Sequence, residues 1–269
     1  MFSSLLITLR EGLEAALVIG IILGYLTKVS KKQFYKHIFI GSGLAVMASI
    51  AAAYLFSVLA DGFEGKAEQI FEGTVLLVAV ILLTSMILWM NRQSKNLASD
   101  IHGEIDSVVG KNQIWGLISL AFISVFREGI EIVLFMNATL LNSTKQNSLL
   151  GGILGLIIAL IIAWIVLKTT ANLNLKKFFQ ITGAFVILIA AGMLAGAVRE
   201  FEEAGIVPII IEHVWDINSI LDENGTAGLF LKAIFGYNGN PSIVEVFAYF
   251  TYLIIAIKLF FTKPAKSRK

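Results

Sequence analysis

Long apolar stretches dominate the chain, and seven of them reach the ~20 residues that a bilayer-spanning helix needs. They lie at 4–27, 38–59, 71–91, 115–137, 149–167, 179–198 and 243–261. Two connections exceed a tight turn. The segment 92–114 predicts a short surface helix around 101–109. The segment 199–242 carries apolar patches at 206–211 and 229–235, too short to span and suited to re-entrant or interfacial placement. No Pro-rich, Ser-rich or low-complexity linker divides the chain, which predicts one membrane domain over 1–269. The first stretch does not read as a cleaved signal peptide, because it lacks a basic leader and is interrupted by Arg10, Glu11 and Glu14.

Composition supports this reading. The chain is 57% hydrophobic and 15% charged, and its mean hydropathy is +0.82, whereas soluble domains carry about 25% charged residues. The fold class expected is an all-α polytopic membrane protein with seven transmembrane helices.

Charge then sets an orientation. Lys28, Lys31, Lys32 and Lys36 follow the first stretch, and Arg92, Lys95 and Lys111 follow the third. Lys168, Lys176 and Lys177 follow the fifth, and Lys258, Lys263, Lys266, Arg268 and Lys269 close the chain. That side holds 15 basic residues, against Lys66, Lys145, Arg199 and Lys232 on the other. The N-terminus is therefore expected outside and the C-terminus in the cytoplasm. Bases scattered over short loops, with a net charge of +2, do not suggest nucleic acid. Cysteine is absent, which excludes disulfides and thiolate metal sites, and His37, His102 and His213 all fall outside the apolar stretches.

Against this background one string stands out. Arg10-Glu11-Gly12-Leu13-Glu14 recurs as Arg127-Glu128-Gly129-Ile130-Glu131, each inside an apolar stretch. A charge at a helix centre costs ~2.5–3.5 kcal/mol in the bilayer, so six would cost on the order of 15–20 kcal/mol unless they pair or meet water. Two stretches lie between those that carry the copies, so the first and fourth helices run antiparallel. The chain then divides into inverted halves, 4–91 and 115–198, followed by an external loop 199–242 and a last helix 243–261. That is a transporter architecture with its site between the halves.

On a helix Glu11 and Glu14 share a face about 4.5 Å apart along the axis, as do Glu128 and Glu131. Arg10 and Arg127 stand four residues before Glu14 and Glu131, within pairing reach. Gly12 and Gly129 remove bulk and permit close helix approach. Four carboxylates and two guanidiniums converge with a formal charge of −2, which a multivalent cation neutralises. Carboxylate oxygens suit hard ions such as Fe³⁺, Mn²⁺, Mg²⁺ or Ca²⁺. The bland alternative is an ion-pair network that only locks the bundle. A single string would suit that reading equally well; two copies on opposed helices favour a site.

These strings resemble those of the high-affinity, oxidase-dependent iron permease family, most closely its bacterial Efe-type branch. Further similar stretches are Phe71-Glu72-Gly73 through Leu88-Trp89-Met90, Glu202-Glu203-Ala204-Gly205, and Gly236-Tyr237 through Pro241-Ser242 to Glu245 and Tyr249. The resemblance implies a multi-pass permease of the bacterial cytoplasmic membrane that imports iron. Glu11, Glu14, Glu128 and Glu131 would then be iron ligands. It also implies a separate extracytoplasmic oxidase or iron-delivery partner that supplies Fe³⁺, since this chain has no multicopper or haem signature. Iron is then cargo, and no cofactor is expected. The rival readings are a permease for Pb²⁺ or Mn²⁺, and an intramembrane di-iron carboxylate oxidase. The latter usually adds histidines from facing helices, and none lies in an apolar stretch here.

Other acids read less sharply. Glu68 and Glu72 stand one turn apart at the outer start of the third helix, as a collecting site or as ordinary dipole-favoured residues. Glu200 and Glu203 close the sixth helix in an acidic mouth that also holds Glu202, Glu212, Asp216, Asp222 and Glu223. Glu245 is a ligand or a helix cap. Gly20 with Gly24, Gly151 with Gly155, and Gly192 with Gly196 predict helix contacts. Trp89, Trp115 and Tyr25 predict interfacial anchors. The glycosylation-like strings at Asn142 and Asn224 read as chance.

Overall fold

The computed structural model describes residues 1–93, 114–141, 145–168, 175–223 and 225–261, and it shows helices and no strand among them. The helices are α1 (Phe2–Lys28), α2 (Tyr35–Ala60), α3 (Lys66–Gln93), α4 (Ile114–Leu141), α5 (Lys145–Lys168), α6 (Leu175–Glu203), α7 (Thr226–Phe235) and α8 (Ile243–Phe261). Apolar runs in lipid satisfy their backbone internally, which leaves the helix as the local solution. Five helices, α2, α3, α5, α6 and α8, are long and apolar enough to cross a membrane. The 27-residue α1 and the 28-residue α4 carry the charged strings.

Two boundaries differ from expectation. α3 starts at Lys66 and α6 runs to Glu203, so Glu68, Glu200 and Glu203 sit on helices and residues 199–203 are not loop. Polar helix formers extend a helix past the point where hydropathy falls. The surface helix expected at 101–109, the strings at Asn142 and Asn224, the tail beyond 261 and the side chain of Trp89 lie outside the described residues.

Helix pairing follows a repeated scheme. α1 packs most closely on α5, and the two run parallel: Gly151 lies against Met1, Gly155 against Leu5 and Thr8, and Ala159 against Gly12. α2 packs on α4 in the same manner, with Gly41 against Ile118 and Ser49 against Gly129. Small residues four apart let the backbones approach. α3 pairs with α6 antiparallel, Gly73 against Phe201 and Ile87 against Gly183. α8 lies along α6, and its Tyr252 hydroxyl meets Thr84 Oγ1 of α3 at 2.7 Å.

The main core joins α1, α3, α4, α6 and α8 through Leu6, Leu83, Phe135, Val186, Met193 and Phe260. Large apolar side chains of α2, α5 and α8 face outward, among them Met47, Tyr54, Leu160, Trp164 and Phe247. Trp115 is exposed at the start of α4, as an interfacial anchor would be. A methyl group on Gly24 would have nothing within 4 Å, so the Gly20–Gly24 spacing makes no helix contact at Gly24.

The segment 204–242 folds back on the bundle. α7 ends at Gly236, whose φ of +66° suits glycine and whose backbone abuts Gly192. Gly192 lies eleven residues before the end of α6 at Glu203, or about 16 Å along the axis. The patch at 229–235 therefore reaches into the bundle, while Ile206, Ile209, Ile210 and Ile211 are exposed.

Candidate metal centre

α1 and α4 cross antiparallel, with Ser4 against Thr139 toward one end and the two charged strings opposite each other near mid-helix. Glu11, Glu128 and Glu131 each place one carboxylate oxygen within 4.8 Å of the others. Ligand oxygens around one ion at about 2.0–2.5 Å lie no more than about 4–5 Å apart, so the three fit a single cation with slight contraction. Glu11 is 0% exposed and Glu128 1%.

Both oxygens of Glu11 and Oε2 of Glu128 are buried without a hydrogen-bond donor. A buried carboxylate oxygen without a partner is costly, and a cation between the helices would satisfy those of Glu11 and Glu128 at once.

Glu14 stands apart from the trio, since Arg10 Nε holds its Oε1 at 3.3 Å. Arg127 prefers its neighbour: Nε donates to Glu128 Oε1 at 3.0 Å and lies 3.9 Å from Glu131 Oε1. The expected pairing of Arg10 with Glu14 is present, while the matching pair in α4 is loose. The two arginines also differ in surroundings, with Arg10 fully buried and the Arg127 side chain 56% exposed. Gly12 and Gly129 do not face each other. They seat α1 on Ala159 of α5 and α4 on Ser49 of α2, which turns the glutamates of each string toward the other helix.

A second acidic group forms where α3 begins and α6 ends. Glu68 and Glu72 lie near enough to Glu200 and Glu203 for their charges to interact. Gln69 Nε2 donates to Glu203 Oε2 at 3.5 Å, and Arg199 Nε pairs with Glu203 Oε1 at 3.2 Å. In the sequence these are two features at distant positions, and the α3–α6 pairing joins them.

Three further acids of this region are engaged locally. Glu202 accepts from Ser242 Oγ at 3.0 Å, Glu223 pairs with Lys232 at 3.7 Å, and Asp216 accepts from the Asn218 N–H at 3.0 Å. Glu245 is a cap: its Oε1 accepts from the Ser242 N–H while its own N–H donates to Ser242 Oγ, both at 3.1 Å. This reciprocal arrangement is a capping box.

The sequence pattern gave no notice of the buried hydroxyls of Ser4, Thr8, Thr139 and Ser148. Ser4 stands two turns before Glu11 and Thr139 three turns after Glu128, so helical spacing alone puts both on the site's face.

Known proteins resemble the chain over nearly its whole length. The profile of the iron permease FTR1 family matches residues 1–267. A protein of Yersinia pestis named ferrous iron permease EfeU is 36% identical over 266 residues, covering 98% of this chain and 94% of its own. The protein of that name from Escherichia coli O6:H1 is 35% identical over 266 residues, covering 98% and 96%. No solved structure matches the chain.

Proposed function

The chain belongs to the iron permease FTR1 family, and from that membership we propose how its side chains carry the ion. It is a multi-pass transporter of iron in the cell membrane rather than an enzyme. We read α1 and α4 as spans alongside the five apolar helices, giving seven, with the N-terminus outside. Residues 4–91 and 115–198 are two inverted halves of a single domain, with 199–242 as the external loop and 243–261 as the added helix. The matched pairing of α1 with α5 and of α4 with α2 supports this division, because exchanging the halves maps one pair onto the other.

Iron passes between α1 and α4, held by Glu11, Glu128 and Glu131. Glu14 joins when Arg10 releases it, and Arg127 balances charge while the site is empty. The observation that carries this reading is the meeting of three carboxylates, from both halves, within 4.8 Å. Glu68, Glu72, Glu200 and Glu203 form an outer acidic group that concentrates cations. All-oxygen ligation favours Fe³⁺, whereas the relatives are named for ferrous iron. An oxidase outside this chain, supplying Fe³⁺ at the outer face, reconciles the two.

The test is radio-iron uptake into vesicles holding purified protein, with Fe²⁺ and Fe³⁺ presented separately. Uptake of Fe³⁺ alone, lost in Glu11→Gln and Glu131→Gln, is expected. Direct uptake of Fe²⁺ would remove the oxidase, and unchanged uptake in both variants would remove the site.

A further inference from the structure

The two charged helices carry the same string in unlike surroundings. Aligning Arg10 with Arg127 pairs Leu6 with Ile123 and Phe2 with Ser119. In α1 this stripe is packed away. Leu6 is 8% exposed, and Phe2 contacts Phe185 of α6 and Phe230 of α7, with ring centroids 6.4 and 6.1 Å apart. In α4 it is open, with Ser119 exposed and Ile123 64% exposed, leading to the half-exposed Arg127. Arg127 lies near the middle of its 28-residue helix, about 20 Å from either end. A guanidinium exposed at that depth requires water, because hydrocarbon excludes it. Water therefore reaches the site along the α4 stripe.

The opposite approach is shut by two layers. Ile7, one turn before Glu11, is 1% exposed, and Phe135, one turn after Glu131, is 0% exposed. Beyond them Ser4 of α1 meets Thr139 Oγ1 of α4 and Ser148 Oγ of α5, both at 3.2 Å, and all three residues are buried. Hydroxyls can exchange bonds with one another for bonds to water or to a passing cation, which an apolar seam cannot.

We propose that Ser4, Thr139 and Ser148 are the outer gate of the iron path, shut in this structure, and that Ser119, Ile123 and Arg127 line its open inner vestibule. The proposal rests on the reading of Glu11, Glu128 and Glu131 as the iron site and of the Met1 end as external. Because the halves are inverted copies, exchanging the surroundings of the two stripes generates the outward-open state. The Leu6 stripe is then wet and the Ile123 stripe packed.

The cysteine-free chain permits a direct test. In vesicles of known sidedness, Ile123→Cys should react with a charged thiol reagent from the cytoplasmic face at least about tenfold faster than Leu6→Cys, since access limits the reaction. Equal rates, or faster reaction at Leu6→Cys, would overturn the vestibule. The double variant Ser4→Cys/Thr139→Cys should oxidise readily, because its γ atoms replace hydroxyls 3.2 Å apart and a disulfide needs ~2 Å. Oxidation should reduce radio-iron uptake to background and reduction should restore it; full uptake while oxidised would overturn the gate. If the pair does not oxidise, Ser4→Ala/Thr139→Val tests the same gate, with uptake expected to fall about tenfold while Ile123→Cys labelling persists; parental uptake in this variant would overturn the gate. Labelling needs no transport, so a chain that labels asymmetrically yet moves no iron would count against the iron site and leave the vestibule standing.

Discussion

Glu11 of α1 and Glu128 of α4, both excluded from solvent, bring carboxylate oxygens within 4.8 Å of each other. Two like charges at that separation in a low-dielectric interior repel strongly. The contact persists because α1 is clamped to α5 and α4 to α2 through close small-residue packing. The scaffold thus holds open a demand for positive charge.

That relationship predicts a hierarchy among the glutamates. Glu11→Gln, Glu128→Gln and Glu131→Gln should each nearly abolish ferric binding in detergent. Glu14, engaged with Arg10 at 3.3 Å, should behave as an outer partner, and Glu14→Gln should cost about 10–100-fold in affinity. A Glu11→Ala/Glu128→Ala double variant should bind little worse than either single one, because residues acting as a unit are non-additive. Two independent classes of site in a titration would contradict a shared centre.

The arginines should respond differently. Arg10→Ala leaves Glu14 and Glu11 buried without their nearest cation, and breaking such a pair costs about 3–5 kcal/mol. Thermal unfolding in detergent should show this as a large loss of stability. Arg127, with its side chain 56% exposed, should tolerate Arg127→Lys at less than about 1 kcal/mol. Equal losses for the two substitutions would show that their surroundings are alike in the membrane.

A methyl group on Gly129 would collide with Ser49, whose Oγ stands directly in its place and whose Cβ would lie 2.8 Å away. Gly129→Ala should therefore destabilise by about 1–3 kcal/mol and lower uptake. Adding Ser49→Gly removes the obstructing atoms and should recover most of both. Gly151→Ala has no such remedy, because its methyl would meet the Met1 backbone.

The capping box at the start of α8 gives a fourth expectation. Ser242→Ala removes the acceptor for the Glu245 N–H and the donor to Glu202. A loss of about 0.5–2 kcal/mol is expected, read as a lower midpoint in a thermal scan, with iron affinity unchanged. A changed affinity would tie Glu202 or Glu245 to the ion.

Much of this was legible in the residues. Hydropathy located α8 to the residue, and the doubled string marked the two helices whose carboxylates meet, because charges in an apolar run have few explanations. What could not be read was which neighbour each helix takes. Sequence order suggests that Gly12 and Gly129 bring their helices together, yet they face Ala159 and Ser49. Periodicity reports a face but not its partner. For the same reason Glu72 and Glu200 looked unrelated until α3 met α6. The difference between Arg10 and Arg127 was wholly hidden, because identical strings acquire unlike surroundings only through packing.

The pairing of α1 with α5 also constrains how the chain is made. α1 leaves the ribosome long before its closest neighbour, Lys145–Lys168, which emerges only after most of the next 140 residues. At the ~5–20 residues per second of synthesis, that wait is roughly 7–28 s. For most of it Arg10, Glu11 and Glu14 have neither α4 nor α5 beside them, so the insertion machinery or the membrane surface has to shelter a charged helix. The pairings of α1 with α5 and of α2 with α4 interleave along the chain, so an N-terminal fragment ending after α3 lacks the neighbours that bury its first helix. Assembly is therefore a late event that commits the whole chain at once, and a stop codon in α4 leaves not half a transporter but none.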